Sequence, residues 1–345
     1  MRKGQWNAIT DIPGVKVGQI TLDEKIDDGK VACTGVTAIL PHAGNLFEHK
    51  VPAASFILNG FGKSVGLIQV DELGLLESPI MLTNTFSVAQ VLQGTLSYML
   101  QDNPSIGDAT SSLNIVVGEC NDSYLNSMRE MQIAPNHAIE AIHRATSGPI
   151  EQGAVGAGKG MICYEMKGGI GSSSRIITQG AQEFTVGVLT LTNFGKAAEC
   201  KINDWLQENG YGRHRAILPV KEDVEKPDGS VMIIVGTDAP VNERQLKRFA
   251  KRAAIGLGRT GTAVHNGSGD IIIAFSNGYT IPHESDDLTE TNAILRDAHP
   301  VMNDLFQAVV EATEEAVYQS LLHAETTIGR DGRVIEKCKI VDRGN

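Results

Sequence analysis

Seven short runs of the chain are apolar on consecutive residues rather than on alternate ones. They are GVTAIL (35–40), AASFIL (53–58), SPIMLTN (78–84), SLNIVVGE (112–119), FTVGVLTL (184–191), SVMIIVG (230–236) and DIIIAFS (270–276). Val, Ile, Leu and Thr fill them and Gly, Asn or Asp bounds them, the pattern of short strands. A strand that is apolar on both faces must be covered on both, so sheets flanked by further layers are required. Helical periods lie between the runs, over 88–101, 240–257 and from Pro300 to His323, where Leu305, Val309, Ala312 and Ala316 share a face. In 240–257 the apolar stripe is Leu246, Phe249, Ala250, Ala253 and Leu257. Asp238 is the expected cap, Pro240 suits the first turn, and Gly258 is the expected end.

With 345 residues the chain has room for two average domains or one large layered α/β unit, and for a core that needs no staples. A net charge of −11 argues against nonspecific attraction to nucleic acid or an anionic membrane. The basic side chains Arg244, Lys247, Arg248, Lys251 and Arg252 therefore read as the solvated face of a helix. No apolar run approaches the ~20 residues of a membrane span. The start, MRKGQWNAITDIPG, is basic but lacks an apolar stretch, so no secretory leader is expected. Cys33, Cys120, Cys163, Cys200 and Cys338 form no CxxC pair, and no histidines stand at metal spacing, so no metal site is expected. Dispersed thiols fit a reducing compartment, and a cytoplasmic address is expected. The most polar interval, 196–228, with Pro219 and Pro227, is the expected exposed and nickable loop.

Four stretches invite chemistry. GAVGAGKG (153–160) matches the glycines and lysine of a phosphate-binding loop, but Gly160 stands where Ser or Thr should hold Mg²⁺, and no strand-to-helix context surrounds it. A glycine-rich bend in a substrate cleft fits better. A Ser230–His265–Asp270 triad can be drawn, yet no serine stands in a G-x-S-x-G elbow. Gly229-Ser230, in EKPDGSVMIIVG, puts a serine at the first position of a strand. A hydroxyl is a poor nucleophile until a base takes its proton. If the bond before Ser230 breaks, its new α-amine titrates near ~8 and supplies that base. Gly229 removes bulk at the bond that would break. Asn193 closes a strand in LTNFG, where an amide can donate to an oxyanion. Ser268-Gly269-Asp270 opens a strand just as Ser230 does. Each of the last three, taken alone, reads more readily as a turn.

Together they resemble the DmpA-type family of L-aminopeptidase/D-amidase/D-esterases, which includes the β-peptidyl aminopeptidases. The resemblance runs through NAITDIPGVKVGQITL (7–22), TGVTAILP (34–41), residues 51–85, GAVGAGKGMICYEMKGGIGSSSR (153–175), TVGVLTLTNFG (185–195), DGSVMIIVGTDAP (228–240), RAAIGLGRTG (252–261) and NGSGDIIIAFS (266–276). It implies one four-layer αββα sandwich over 1–345, like that of ornithine acetyltransferases, with the mechanism of an N-terminal-nucleophile hydrolase. It implies a precursor cut between Gly229 and Ser230 into 1–229 and 230–345, which stay associated. Ser230 would be the nucleophile, Asn193 the oxyanion donor, Ser268 and Asp270 the supporting pair, and Glu119 the group that binds the substrate's amine. Some members carry glutamate where this chain has Asp270. Some carry a tyrosine where it has Asn121, with Tyr124 as the substitute. The implied substrates are short peptides, amides or esters with a free amine, handled without cofactor or metal by a homo-oligomer of the two-fragment unit. Two alternatives remain: an acyltransferase on the same scaffold, and an uncut, non-enzymatic binding protein.

Overall fold

The computed structural model of the chain describes residues 1–219 and 229–342. Nine strands of five or more residues carry the fold: β1 (Lys16–Asp27), β2 (Lys30–Leu40), β3 (His49–Gly60), β4 (Ile80–Asn84), β5 (Val116–Cys120), β6 (Ile170–Gln179), β7 (Gln182–Asn193), β8 (Ser230–Thr237) and β9 (Gly269–Ser276). The long helices are α1 (Val88–Asp102), α2 (Pro135–His143), α3 (Glu243–Arg259) and α4 (Val301–Leu322). One sheet has the order β1-β2-β4-β5, the other β3-β9-β8-β7-β6 with short edge strands beside β3. Neighbours are antiparallel except β4 with β5 and β8 with β9.

The two sheets lie face to face. Ile39, Ile80, Val116, Leu189, Met232, Ile234, Ile271 and Ile273 form the apolar layer between them. α1 and α2 cover the outside of the first sheet through Val88, Val91, Ala138 and Ile142. α3 and α4 cover the second through Phe249, Ala253, Leu305 and Val309. The architecture is αββα, as expected. It explains the consecutive apolar runs, because strand residues alternate between faces. In β8, Val231, Ile233 and Val235 meet the helices while Met232 and Ile234 meet the other sheet.

Two strands escape the apolar pattern. β6 contains Ser172, Ser173, Ser174 and Arg175, all buried. Their polar atoms are paired: Ser172 Oγ donates to Val188 O at 2.6 Å, Ser174 Oγ to Asp11 at 2.7 Å, and Arg175 reaches Glu311 and Glu315. β1 runs out of the sandwich, and its outer half is exposed. The strand expected over 112–119 starts only at Val116, since the Asn114 backbone N–H and side chain bond Glu77 and the Gly66 carbonyl. α3 begins later than Pro240 suggests. Asn242, not Asp238, is its cap: its side chain accepts from Gln245 N–H, and Gln245 accepts in return from Asn242 N–H. Asp238 instead accepts from Thr185 N–H at 2.6 Å. Gly258 lies inside the helix, which ends at Arg259.

The basic face of α3 is engaged within the chain. Arg244 and Arg248 pair with Asp297, Lys247 pairs with Asp71, and Arg248 and Arg252 stack on Phe306. The polar interval 196–228 holds a helix, Ile202–Glu208, and a strand, His214–Ile217, which pairs with Lys339–Asp342 near the chain's other end. Its remainder from 220 to 228 lies outside the described residues. Among the described residues no helix is long and apolar enough to cross a membrane.

Candidate active site

β7, β8 and β9 run side by side, and their ends meet on one rung. Asn193, the last residue of β7, pairs with Ser230, the first of β8, and Ser230 pairs with Gly269, the first of β9. Adjacent strands are ~4.8 Å apart, so these three positions fall within about 10 Å of one another. Ser230 shares its face with Met232 and Ile234, and Asn193 with Leu189 and Leu191, so both point between the sheets. The Ser230 hydroxyl is buried and has no hydrogen-bond partner among the described residues. The Gly229 carbonyl, directly before it, accepts from Gly269 N–H at 3.3 Å. A Cβ on Gly229 would stand 2.4 Å from the Asn193 carbonyl oxygen and 2.6 Å from Phe194 Cα, so only glycine fits there.

Asp270 approaches from the other face, with Ile272 and Ala274. One carboxyl oxygen accepts from Ser268 Oγ at 2.8 Å, and the other, also buried, has no partner among the described residues. Burial pushes this carboxyl up to about 6, against the opposing pull of Ser268 and His265. Asn59 holds the corner by donating from its amide to the carbonyls of His265, Asn266 and Ser268. His265 itself bonds Glu199 at 3.0 Å, so the Ser230–His265–Asp270 triad is not assembled.

The Asn193 carboxamide is fixed at both ends. Its oxygen accepts from Ile162 N–H at 2.9 Å, and its nitrogen donates to the Asn121 carbonyl at 2.9 Å. A primary amide has two donor protons, so one remains. Ile162 lies two residues after the glycine-rich stretch 153–160, which is not a phosphate loop. Gly156–Gly158 forms a single 3₁₀ turn, and Lys159 pairs at 2.7 Å with the exposed Asp23. A phosphate loop turns N–H groups inward. Here carbonyls turn inward, from Gly158, Met161 and Gly168, at 3.0, 2.6 and 2.8 Å from the Lys167 ammonium. Lys167 is fully buried, which pushes it down to about 7.

Glu119 ends β5. One carboxylate oxygen accepts from Lys63 N–H at 2.8 Å and the other from the Thr85 hydroxyl. A methyl on Gly62 would stand 3.6 Å from this carboxylate and 3.9 Å from Gly269 Cα, so one loop joins Glu119 to the β9 corner. Tyr124 is turned elsewhere: Arg333 lies over its ring at 4.9 Å and donates to its carbonyl.

The chain's sequence and fold have close parallels. The model of peptidase family S58 matches residues 7–335. The beta-peptidyl aminopeptidase BapA of Sphingosinicella microcystinivorans is 36% identical, over 97% of this chain and 86% of its own length. The chain belongs to peptidase family S58. A solved protein of Pyrococcus horikoshii OT3 superposes with a TM-score of 0.87 at 45% identity, covering 97% of this chain and 92% of that one. The L-aminopeptidase D-Ala-esterase/amidase of Ochrobactrum anthropi superposes with a TM-score of 0.86 at 30% identity, over 98% and 92%. It is described as a prototype of the serine aminopeptidases and a variant of the Ntn hydrolase fold. The S58 chain is thus a hydrolase of the serine aminopeptidase, amidase and esterase class, built on that fold variant.

Several parts of this candidate site leave no mark in the sequence. The Gly269 and Ile162 N–H groups are backbone atoms, present at every residue but proline. Lys63 holds Glu119 through its backbone alone. Thr85 directly follows a strand end in LTNT, a signal available only once Glu119 is suspected. Cys120 is the residue of β5 that looks across to Ser230. Burial pushes its thiol well above the ordinary range and Glu119 adds to the shift; the Ser230 hydroxyl, close by but outside hydrogen-bond geometry, opposes it.

Proposed function

We propose that this peptidase cuts its own chain between Gly229 and Ser230, and that Ser230 then serves as its nucleophile. The observation that carries the reading is the buried Ser230 hydroxyl, unpartnered among the described residues, beside a Gly229 carbonyl already bonded by an N–H donor. In self-cleavage the hydroxyl attacks the Gly229 carbonyl carbon and the peptide nitrogen leaves as the free α-amine of Ser230. Water then opens the resulting ester, releasing a Gly229 carboxylate and restoring the hydroxyl. In turnover the amine accepts the hydroxyl proton as Ser230 attacks a substrate carbonyl, then passes it to the departing amine or alcohol. The spare amide proton of Asn193 meets the oxyanion. Ser268 and Asp270 orient the new amine, and Glu119 receives the substrate's ammonium group. Substrates are short peptides, amides and esters with a free N-terminal amine, β-amino acids among them, as the names of the relatives suggest. The fragments stay together because β7 and β8 share a ladder across the cut. The five buried cysteines, all free, suit a cytoplasmic enzyme, and we take it to be a homo-oligomer of the two-fragment unit.

Intact-mass and N-terminal analysis of purified protein tests the reading. Fragments 1–229 and 230–345, the second starting at Ser230, are expected, together with release of N-terminal residues from aminoacyl amides. Active protein that is wholly uncut would overturn it.

A further inference from the structure

We propose that Lys167 is a positioning residue for Asn193, acting through the single peptide plane between Met161 and Ile162; this rests on the oxyanion role given to Asn193 above. The carbonyl of that peptide accepts from the Lys167 ammonium at 2.6 Å, and its N–H donates to the Asn193 carboxamide oxygen at 2.9 Å. In a trans peptide the C=O and N–H point in opposite directions, so fixing one aims the other. The order is ammonium, peptide, carboxamide, catalytic pocket.

The cage around the ammonium is costly unless it has such a task. Lys167 is fully buried and has no carboxylate within ion-pair distance among the described residues. Its three bonds go to neutral carbonyls. Those carbonyls converge only because glycines let the backbone close in. A Cβ would stand 2.5 Å from Ile170 N at Gly158, and 2.5 Å from Cys163 Cβ at Gly168. Remove the ammonium and the Gly168 carbonyl is left unpaired, while the Met161 carbonyl keeps only the Gly168 N–H at 3.3 Å and the Gly158 carbonyl only the Met161 N–H at 3.2 Å. The 161–162 plane then loses its shorter bond, at 2.6 Å, and keeps the longer one from Gly168 N–H, so it can tilt and the carboxamide loses its fixed aim. A donor on the carbonyl also polarises the peptide, which strengthens its N–H towards Asn193. Asn121 holds the other end, so the carboxamide keeps one sense, with oxygen towards Ile162 and nitrogen towards the pocket.

The test compares Lys167→Met with Lys159→Met, which removes a neighbouring ammonium that pairs with the exposed Asp23 and takes no part in the cage, on an aminoacyl amide. Turnover is counted per mole of cut chain, with circular dichroism and thermal unfolding run on each variant. Misplacing a catalytic group by about 1 Å costs ~10²-fold. Lys167→Met is therefore expected to lose about 30- to 100-fold in kcat with KM within about threefold, and Lys159→Met to behave as the parent. In an Asn193→Ala background Lys167→Met should add almost nothing, since it acts through that side chain. A folded Lys167→Met enzyme with parental kcat, or losses that multiply fully in the double variant, would overturn the proposal. If Lys167→Met does not fold, Lys167→Arg decides: a flat guanidinium cannot reach all three carbonyls, so kcat should fall with KM held, and parental kcat refutes the idea. A parental kcat in Asn193→Ala would instead sink the oxyanion reading beneath it.

Discussion

Two polar clusters are buried in the same sandwich and are built on opposite terms. Around Arg175 every partner is present. Its guanidinium reaches Glu315 at 2.8 Å, Glu311 at 3.1 Å, and the Ser173 hydroxyl and Ser174 carbonyl. Glu315 also accepts from Lys3, Asn7 and Gln319. Burial alone would raise its carboxyl, but Arg175, Lys3 and Asn7 hold it down at about 2. Around Ser230 the partners are missing: its hydroxyl and one oxygen of Asp270 are both buried and unpaired among the described residues. An orphaned buried polar group costs stability. The satisfied cluster ties the N-terminal segment and α4 to β6. The unsatisfied one fits the catalytic site proposed above, since perturbed, unpaired groups of this kind gather at functional sites.

The contrast breaks most sharply at its two centres. Ser230→Ala is expected to abolish both cutting and turnover, leaving one full-length band on a denaturing gel. It should not lower the melting temperature, because it removes an unpaired hydroxyl rather than a bonded one. Arg175→Met should do the reverse. It leaves Glu315 and Glu311 without their guanidinium and costs about 3–5 kcal/mol by denaturant unfolding. The folded fraction should still cut itself. An Arg175→Met chain as stable as its parent would erase the distinction between the clusters.

The same contrast sets what could be read from sequence. The strands facing apolar layers announced themselves through Val and Ile, and so did the layered fold. β6 did not, because Ser172, Ser173 and Arg175 look like loop residues until the groups they bond are known. Asn242 was hidden behind Pro240, since a cap is recognised by which N–H its side chain reaches. Ser230, Asn193 and Asp270 stood out only as polar residues at the ends of apolar strands; that Asn193 and Ser230 share a rung is a fact of register. Gly269 N–H, Ile162 N–H and the Lys167 cage are backbone chemistry, which no residue letter encodes.

Asn193→Ala sharpens the comparison from the catalytic side. Losing one oxyanion donor costs ~3 kcal/mol, so kcat should drop about 10²- to 10³-fold with little change in KM. Stability should move by less than in Arg175→Met. A loss confined to KM would show Asn193 to be a binding group instead.

The smallest effect is the most diagnostic, because the two clusters should answer pH with opposite sign. Glu315 is held below its unfolded value, so its stabilisation is full above about pH 4 and drains away as pH falls towards about 2. Asp270 is pushed above its unfolded value, to about 6. The folded chain then binds the extra proton between about pH 4 and 6, so its contribution to stability falls as pH rises through that window. In an uncleavable Ser230→Ala background, Asp270→Asn should therefore gain about 1–2 kcal/mol over its parent at pH 7.5, and nothing at pH 4, where both are neutral. Taking the difference between the two proteins cancels every other titrating group. Self-cleavage should run against stability: if the ionised carboxyl orients the reacting group, its rate climbs about tenfold per pH unit up to pH 6 and then levels. Asp270→Asn should lose that limb along with most of the rate. A limb that stays at pH 6 in Asp270→Asn would assign it to another group and leave Asp270 as a buried acid with no part in the cut.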